Sequence, residues 1–208
     1  HPPSEGELNQ SIARAVEQSG SIDRLRELAS CGRLAEVTEV RLLKLEMDLL
    51  NKCNLRCPMC MMSHPSHYRQ PLERMSLEVF EDLAADIFWH VQALSFTYGA
   101  EPLLHPEFSR FVEIASRYHI PKIYAVTNGM LLTDTVARAL CMHGMHAFAV
   151  SIDAARSQTY RQIRVGGDWD RLMHNLRGFQ RIKQELGSQK PILELNFVMM
   201  KTNIGELP

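Results

Sequence analysis

The sequence has no apolar run long enough to span a bilayer, and nothing at its start reads as a signal peptide. No membrane partner is therefore expected. It has no excess of either charge. A formal net charge of -1 lacks the electrostatic footprint that nucleic acid or an anionic surface demands. It has no disulfide framework either, since three of its five cysteines crowd into one short stretch. That usage fits a reducing compartment, and the expected location is cytoplasmic. An initiator Met is missing as well: the chain begins His1-Pro2-Pro3, as expected of a processed or excised chain. What remains is an ordinary globular composition. With 208 residues and 45% hydrophobic content, it can bury one domain or a little more.

The stretch that stands out runs from Asn51 to Cys60, where Cys53, Cys57 and Cys60 are spaced C-x3-C-x2-C. Thiolates at this density bind metal more readily than they serve a core, and Asn, Lys and Arg between them argue against a buried segment. Three cysteines are one short of the four that a cubane iron–sulfur cluster or a structural zinc takes. Either one iron stays open for a ligand, or a fourth protein ligand comes from elsewhere. His64 follows Cys60 at a zinc-like spacing, so a non-enzymatic zinc-binding α/β module on Cys53, Cys57, Cys60 and His64 is the alternative reading.

Residues 1–39 divide off as a disordered start and a short helical extension, with Ile12, Val16, Ile22, Leu25 and Leu28 on apolar faces. From Val40 strand and helix patterns alternate, and residues 40–208 form the expected main domain. The expected strands are 40–50, 93–98, 122–126, 146–152 and 191–200. Between them Ser76, Thr133 and Asp168 can cap helices, and Phe80, Leu83, Ala84, Ile87 and Val91 form one apolar stripe. This order implies an α/β fold with right-handed crossovers and a parallel sheet, either open or closing as a barrel. In both, the ligand site lies at the C-terminal strand ends. The cysteines, Gly99-Ala100-Glu101-Pro102, Thr127-Asn128-Gly129 and Ser151-Ile152-Asp153 each follow a strand. Singly each also reads as a turn or a cap. Together, in this order, they read as one site.

The cysteine motif, a GAEP similar to GGEP, TNG after the third strand and SID after the fourth resemble the radical S-adenosylmethionine (radical SAM) superfamily. The run from Ser151 through Tyr160-Arg161-Gln162-Ile163-Arg164 to Gly166-Gly167 resembles its SPASM-type branch, which modifies peptides and proteins. The resemblance implies a partial TIM-type (β/α)6-like barrel, of which five βα units are visible, so the chain is expected to be truncated at its C-terminal side. It implies a [4Fe-4S] cluster on Cys53, Cys57 and Cys60, and S-adenosyl-L-methionine (SAM) on the open iron. Electrons would come from a reductant such as flavodoxin or ferredoxin, and a 5′-deoxyadenosyl radical would take a hydrogen atom from a peptide or protein substrate. It also implies roles for residues. Gly99, Ala100 and Glu101 would hold the methionine amino group, and Arg164 its carboxylate. Ser151 and Asp153 would reach the ribose hydroxyls, with Thr127 and Asn128 near the same ligand. Met59 and Asn196 would lie by the adenine.

Overall fold

The computed structural model describes Asp23, Arg41 and residues 43–207. The helical extension expected over 1–39 lies, apart from Asp23, outside the described residues.

Five strands form one sheet: β1 (Leu43–Glu46), β2 (Val91–Ser95), β3 (Lys122–Thr127), β4 (Ala147–Ser151) and β5 (Ile192–Asn196). All four pairings are parallel, and the spatial order follows the sequence from β1 to β5. A doubly wound sheet reverses direction part-way, because crossovers go to both faces. Here no reversal occurs, so every crossover winds the same way, as in the wall of a barrel. The open alternative is thereby removed, and the structure is a five-stranded partial barrel.

The crossovers are α1 (Leu77–Ile87), α2 (Phe108–Ser116), α3 (Asp134–Met142), α4 (Ser157–Ile163) and α5 (Trp169–Glu185). Their starts follow the expected capping chemistry. The Ser76 hydroxyl accepts from Val79 N, the Thr133 hydroxyl from Val136 N, and the Asp168 carboxylate from Asp170 N and Arg171 N. Along β3, Ile123, Ala125 and Thr127 are buried while Tyr124 and Val126 are half-buried. The period of two thus sends one face to the helices and the other to the concave side. On the helix side Phe80 meets Phe88 and Phe111 edge-on, with centroids 5.2 and 4.8 Å apart. On the concave side Lys44 pairs with Glu46 at 2.7 Å, and the Tyr124 hydroxyl donates to Glu46. Lys44 and Glu46 therefore share the concave face with Tyr124, where both stay exposed.

Three boundaries differ from expectation. β1 has only four residues, because past Met47, whose N–H still reaches Ser95 O, Asp48 turns to hold another loop. Val91 belongs to β2 and not to the α1 stripe; a short 3-10 turn, Phe88–His90, ends the helix first. The segment 191–200 pairs only as far as Asn196, beyond which Asn203 folds the chain into a loop. Among the described residues, no helix is long and apolar enough to cross a membrane.

Candidate active site

The cysteine segment leaves β1 pinned by Leu49, Leu50 and Leu55, all buried. The side chain of Lys52 donates to the carbonyls of Tyr68 (3.0 Å), His67 (3.4 Å) and Gln70. Asn51 bonds Glu73 N and Pro71 O, so the loop after Cys60 is stapled back onto the segment before Cys53. Cys57 is buried, whereas Cys53 and Cys60 are partly exposed. The Cys53 sulfur lies 3.4 Å from Leu55 N and 3.8 Å from Asn128 Nδ2; the Cys57 sulfur lies 3.7 Å from Arg164 Nη1. Burial pushes the Cys53 thiol up to about 11, and it raises Cys57 against the opposing charge of Arg164. Among the described residues no three His, Cys, Asp or Glu side chains stand together as a finished metal-binding group. His64 is exposed, and its Nδ1 is engaged with Ser66, capping the turn Pro65–Tyr68.

Glu101, 3% exposed, sits behind this segment. Its carboxylate accepts from the Thr127 hydroxyl (2.6 Å), Asn128 N (2.8 Å) and Leu103 N (3.1 Å). Thr127 and Asn128 are placed by the turn at Gly129. Its φ of +76° suits glycine, and a Cβ there would meet Leu172 Cδ1 at 2.6 Å. The Asn128 amide then reaches both Asn54 Oδ1 (2.7 Å) and the Cys53 sulfur. Glu101 thus joins the ends of β2 and β3.

Burial raises the Glu101 carboxyl from 4.5 to about 7, against the three hydrogen bonds, which lower it. Folding therefore favours its protonated form. That contribution is complete below pH 4.5 and is lost as pH rises through about 7. The parent is expected to lose stability across this window relative to Glu101→Gln, which stays neutral. Unfolding midpoints of both proteins, measured stepwise through the window, check this. Parallel curves would show that Glu101 is not the titrating group.

Asp153 is fully buried and holds a φ of +54°, which a non-glycine residue adopts only when its surroundings fix it. One carboxylate oxygen accepts from Val198 N (2.7 Å) and the other is paired with the Arg164 guanidinium. Arg164 closes α4, and from there the chain returns over the cysteines, where Val165 O accepts from Arg56 N at 2.8 Å. Arg164 thus links the end of β4 to Cys57. Ser151 is half-buried opposite Asn196 in the β4–β5 register, Asn196 is exposed, and its carbonyl accepts from Ile152 N and Asp153 N. Met59 is exposed at 41%, Gly99 is half-buried and Ala100 is buried. Every strand end read as special in the sequence therefore opens on the same side of the sheet. The end of β5 adds Asn196 there more loosely, through its backbone.

Two residues in this network had no role in the sequence reading. The Asp48 carboxylate accepts from Tyr98 N, Gly99 N and Ala100 N. Asn203 is buried and donates to Asp153 O and Val198 O. The available signal was their type. Each is a short polar side chain in a loop that follows a strand, where free backbone amides and carbonyls collect.

The Radical SAM superfamily description matches residues 47–187, the span from the residue after β1 to just past the end of α5. The chain belongs to the radical SAM superfamily. This radical SAM chain is 28% identical over 165 residues to a probable GTP 3′,8-cyclase of Methanocaldococcus jannaschii, covering 79% of the chain and 52% of that protein. It is 28% identical over 170 residues to a tungsten-containing aldehyde ferredoxin oxidoreductase cofactor-modifying protein of Pyrococcus furiosus, covering 79% of the chain and 46% of that protein. The chain thus spans about half the length of these relatives. Among solved structures, Streptococcus suis SuiB bound to S-adenosylmethionine shares the fold at a TM-score of 0.60 and 17% identity, with 88% of this chain and 39% of that one covered. Native anSMEcpe with bound AdoMet and a Kp18Cys peptide does so at 0.55 and 20%, covering 74% and 43%.

Radical SAM enzymes use a [4Fe-4S] cluster and SAM. The residues present fit the cluster. Two of the three sulfurs already face side-chain N–H donors, Asn128 and Arg164, and such donors stabilise thiolate ligands and set cluster potential. A Cys3His zinc site fits less well, because His64 Nδ1 accepts from Ser66 N, which leaves the neutral ring's proton on Nε2 and neither nitrogen free to ligate.

Proposed function

We propose that Cys53, Cys57 and Cys60 hold the [4Fe-4S] cluster, that SAM lies across the ends of β2 to β5, and that the substrate is a peptide or protein. The chemistry a reduced cluster supplies in this family is one-electron cleavage of SAM to methionine and a 5′-deoxyadenosyl radical, which takes a hydrogen atom from substrate. The chain's own residues supply orientation. Gly99, Ala100 and Glu101 stand where the methionine amino group would be held. Arg164 offers a guanidinium beside Cys57, the right type for a carboxylate. Ser151 stands at the end of β4 for a ribose hydroxyl, with Thr127 and Asn128 behind it and Met59 and Asn196 toward the adenine. Asp153 acts on the ribose side mainly by fixing Arg164. A soluble one-electron donor such as flavodoxin or ferredoxin would reduce the cluster, in a cytoplasmic setting.

The observation that carries this reading is the bridge from Asp153 through Arg164 to Cys57. It ties the end of β4 to the cysteine loop by way of the same SID-to-arginine run that resembles the peptide-modifying branch. The peptide named with anSMEcpe agrees with that class; the cyclase relatives make GTP the competitor. The test uses the anaerobically reconstituted protein with dithionite and SAM. 5′-Deoxyadenosine is the expected product, carrying deuterium when deuterated peptides are supplied. Label arriving from deuterated GTP would replace the peptide reading with a nucleotide one.

A further inference from the structure

The loop after β2 is held by Asp48, five residues before Cys53. Its Oδ1 accepts from Tyr98 N (2.8 Å), Gly99 N (3.0 Å) and Ala100 N (3.1 Å), and its Oδ2 from Gly99 N (3.0 Å). Three successive amides on one carboxylate form a nest. A trans peptide points its carbonyl opposite to its N–H. The amides of Gly99 and Ala100 face Asp48, so the carbonyls of Tyr98 and Gly99, in the same two peptide units, face away from it. The next peptide is set likewise: Glu101 N donates to Lys52 O at 2.9 Å, which turns the Ala100 carbonyl from the cysteine segment. No hydrogen bond among the described residues ends on these three carbonyls. Meanwhile Glu101 has already accepted three bonds from its own chain, which leaves it little acceptor capacity for a ligand.

We infer that Asp48 is a positioning residue for the cofactor's ammonium group: it turns the backbone carbonyls of residues 98–100 outward as acceptors for that group's three N–H donors. This rests on the placing of the methionine amino group at Gly99–Glu101 proposed above. It adds that Asp48, a side chain outside that loop, sets the direction of the loop's peptides. Because Asp48 and Lys52 both belong to the segment that leads into Cys53, the ammonium site and the first cysteine are fixed in register with each other.

The test compares SAM with its deaminated analogue, in which a keto oxygen replaces the amino group. Binding is measured by equilibrium dialysis on the anaerobically reconstituted protein, with the cluster absorbance checked in parallel. In Asp48→Asn the side-chain amide turns an N–H toward the nest. SAM affinity is expected to fall about tenfold, the worth of one charge-assisted bond, while affinity for the analogue stays at the parent value. Asp48→Ser, smaller and still an acceptor, is expected to shift the same ratio and serves if the Asn variant does not fold. An equal loss for both ligands would make Asp48 a loop brace only, and no loss for either would overturn the inference as well. A parent that binds neither ligand would instead overturn the placement of SAM on which the inference rests.

Discussion

Replacing any one of Cys53, Cys57 and Cys60 by Ala is expected to remove the bound cluster, taking iron from about four per chain to near zero. His64→Ala is expected to keep it. A cubane held by three thiolates has no spare protein ligand, so the loss of one sulfur opens a second iron. Cys57→Ala is expected to be the most complete. Cys57 is the one buried residue of the three, and its removal also takes away the sulfur that the Arg164 guanidinium faces. Iron and sulfide content after anaerobic reconstitution measures all four variants. Zinc in the parent, lost in His64→Ala, would return the site to the Cys3His reading.

Asp153→Ala is expected to destabilise the fold by about 3–5 kcal/mol, the range for leaving one partner of a buried ion pair uncompensated. Side-chain exposure of 13% for Arg164 and 0% for Asp153 puts this pair in the buried class, where a surface pair would be worth far less. The same change removes the acceptor for Val198 N, so the segment after β5 loosens with it. Arg164→Leu is expected to cost a similar amount by leaving the carboxylate alone. The double variant Asp153→Ala/Arg164→Leu should cost less than the sum of the two, since no charge is then left unpaired. Denaturant midpoints of the parent, both single variants and the double variant decide it. Strict additivity, or single-variant losses within the surface range, would mean that the pair is not coupled as the geometry implies. Loss of SAM binding by Asp153→Ala must accordingly be judged only under conditions where the variant is folded.

The alternation of strands and helices was legible without coordinates because burial sets it locally. In the stripe read over α1, Phe80 and Ala84 are buried and Leu83 and Ile87 half-buried, as their spacing requires. Caps at Ser76, Thr133 and Asp168 were legible for the same reason, since each bond spans two or three residues. The cysteines and the TNG and SID clusters were legible as chemistry, and the rule that ligands gather at strand ends placed them together before any fold was seen. What the sequence could not decide was where each polar side chain spends its hydrogen bonds. Glu101 meets Thr127 and Asn128 across 26 and 27 residues, and Asp48 meets the 98–100 amides across 50 to 52. Arg164 meets Cys57 across 107. No local propensity carries information over such separations. The strand order from β1 to β5 was likewise undecided, because the alternating pattern suits a sheet that reverses equally well. One-way winding of the crossovers resolves it, and that same winding brings Asp48, Glu101, Asn128 and Arg164 around a single cysteine loop.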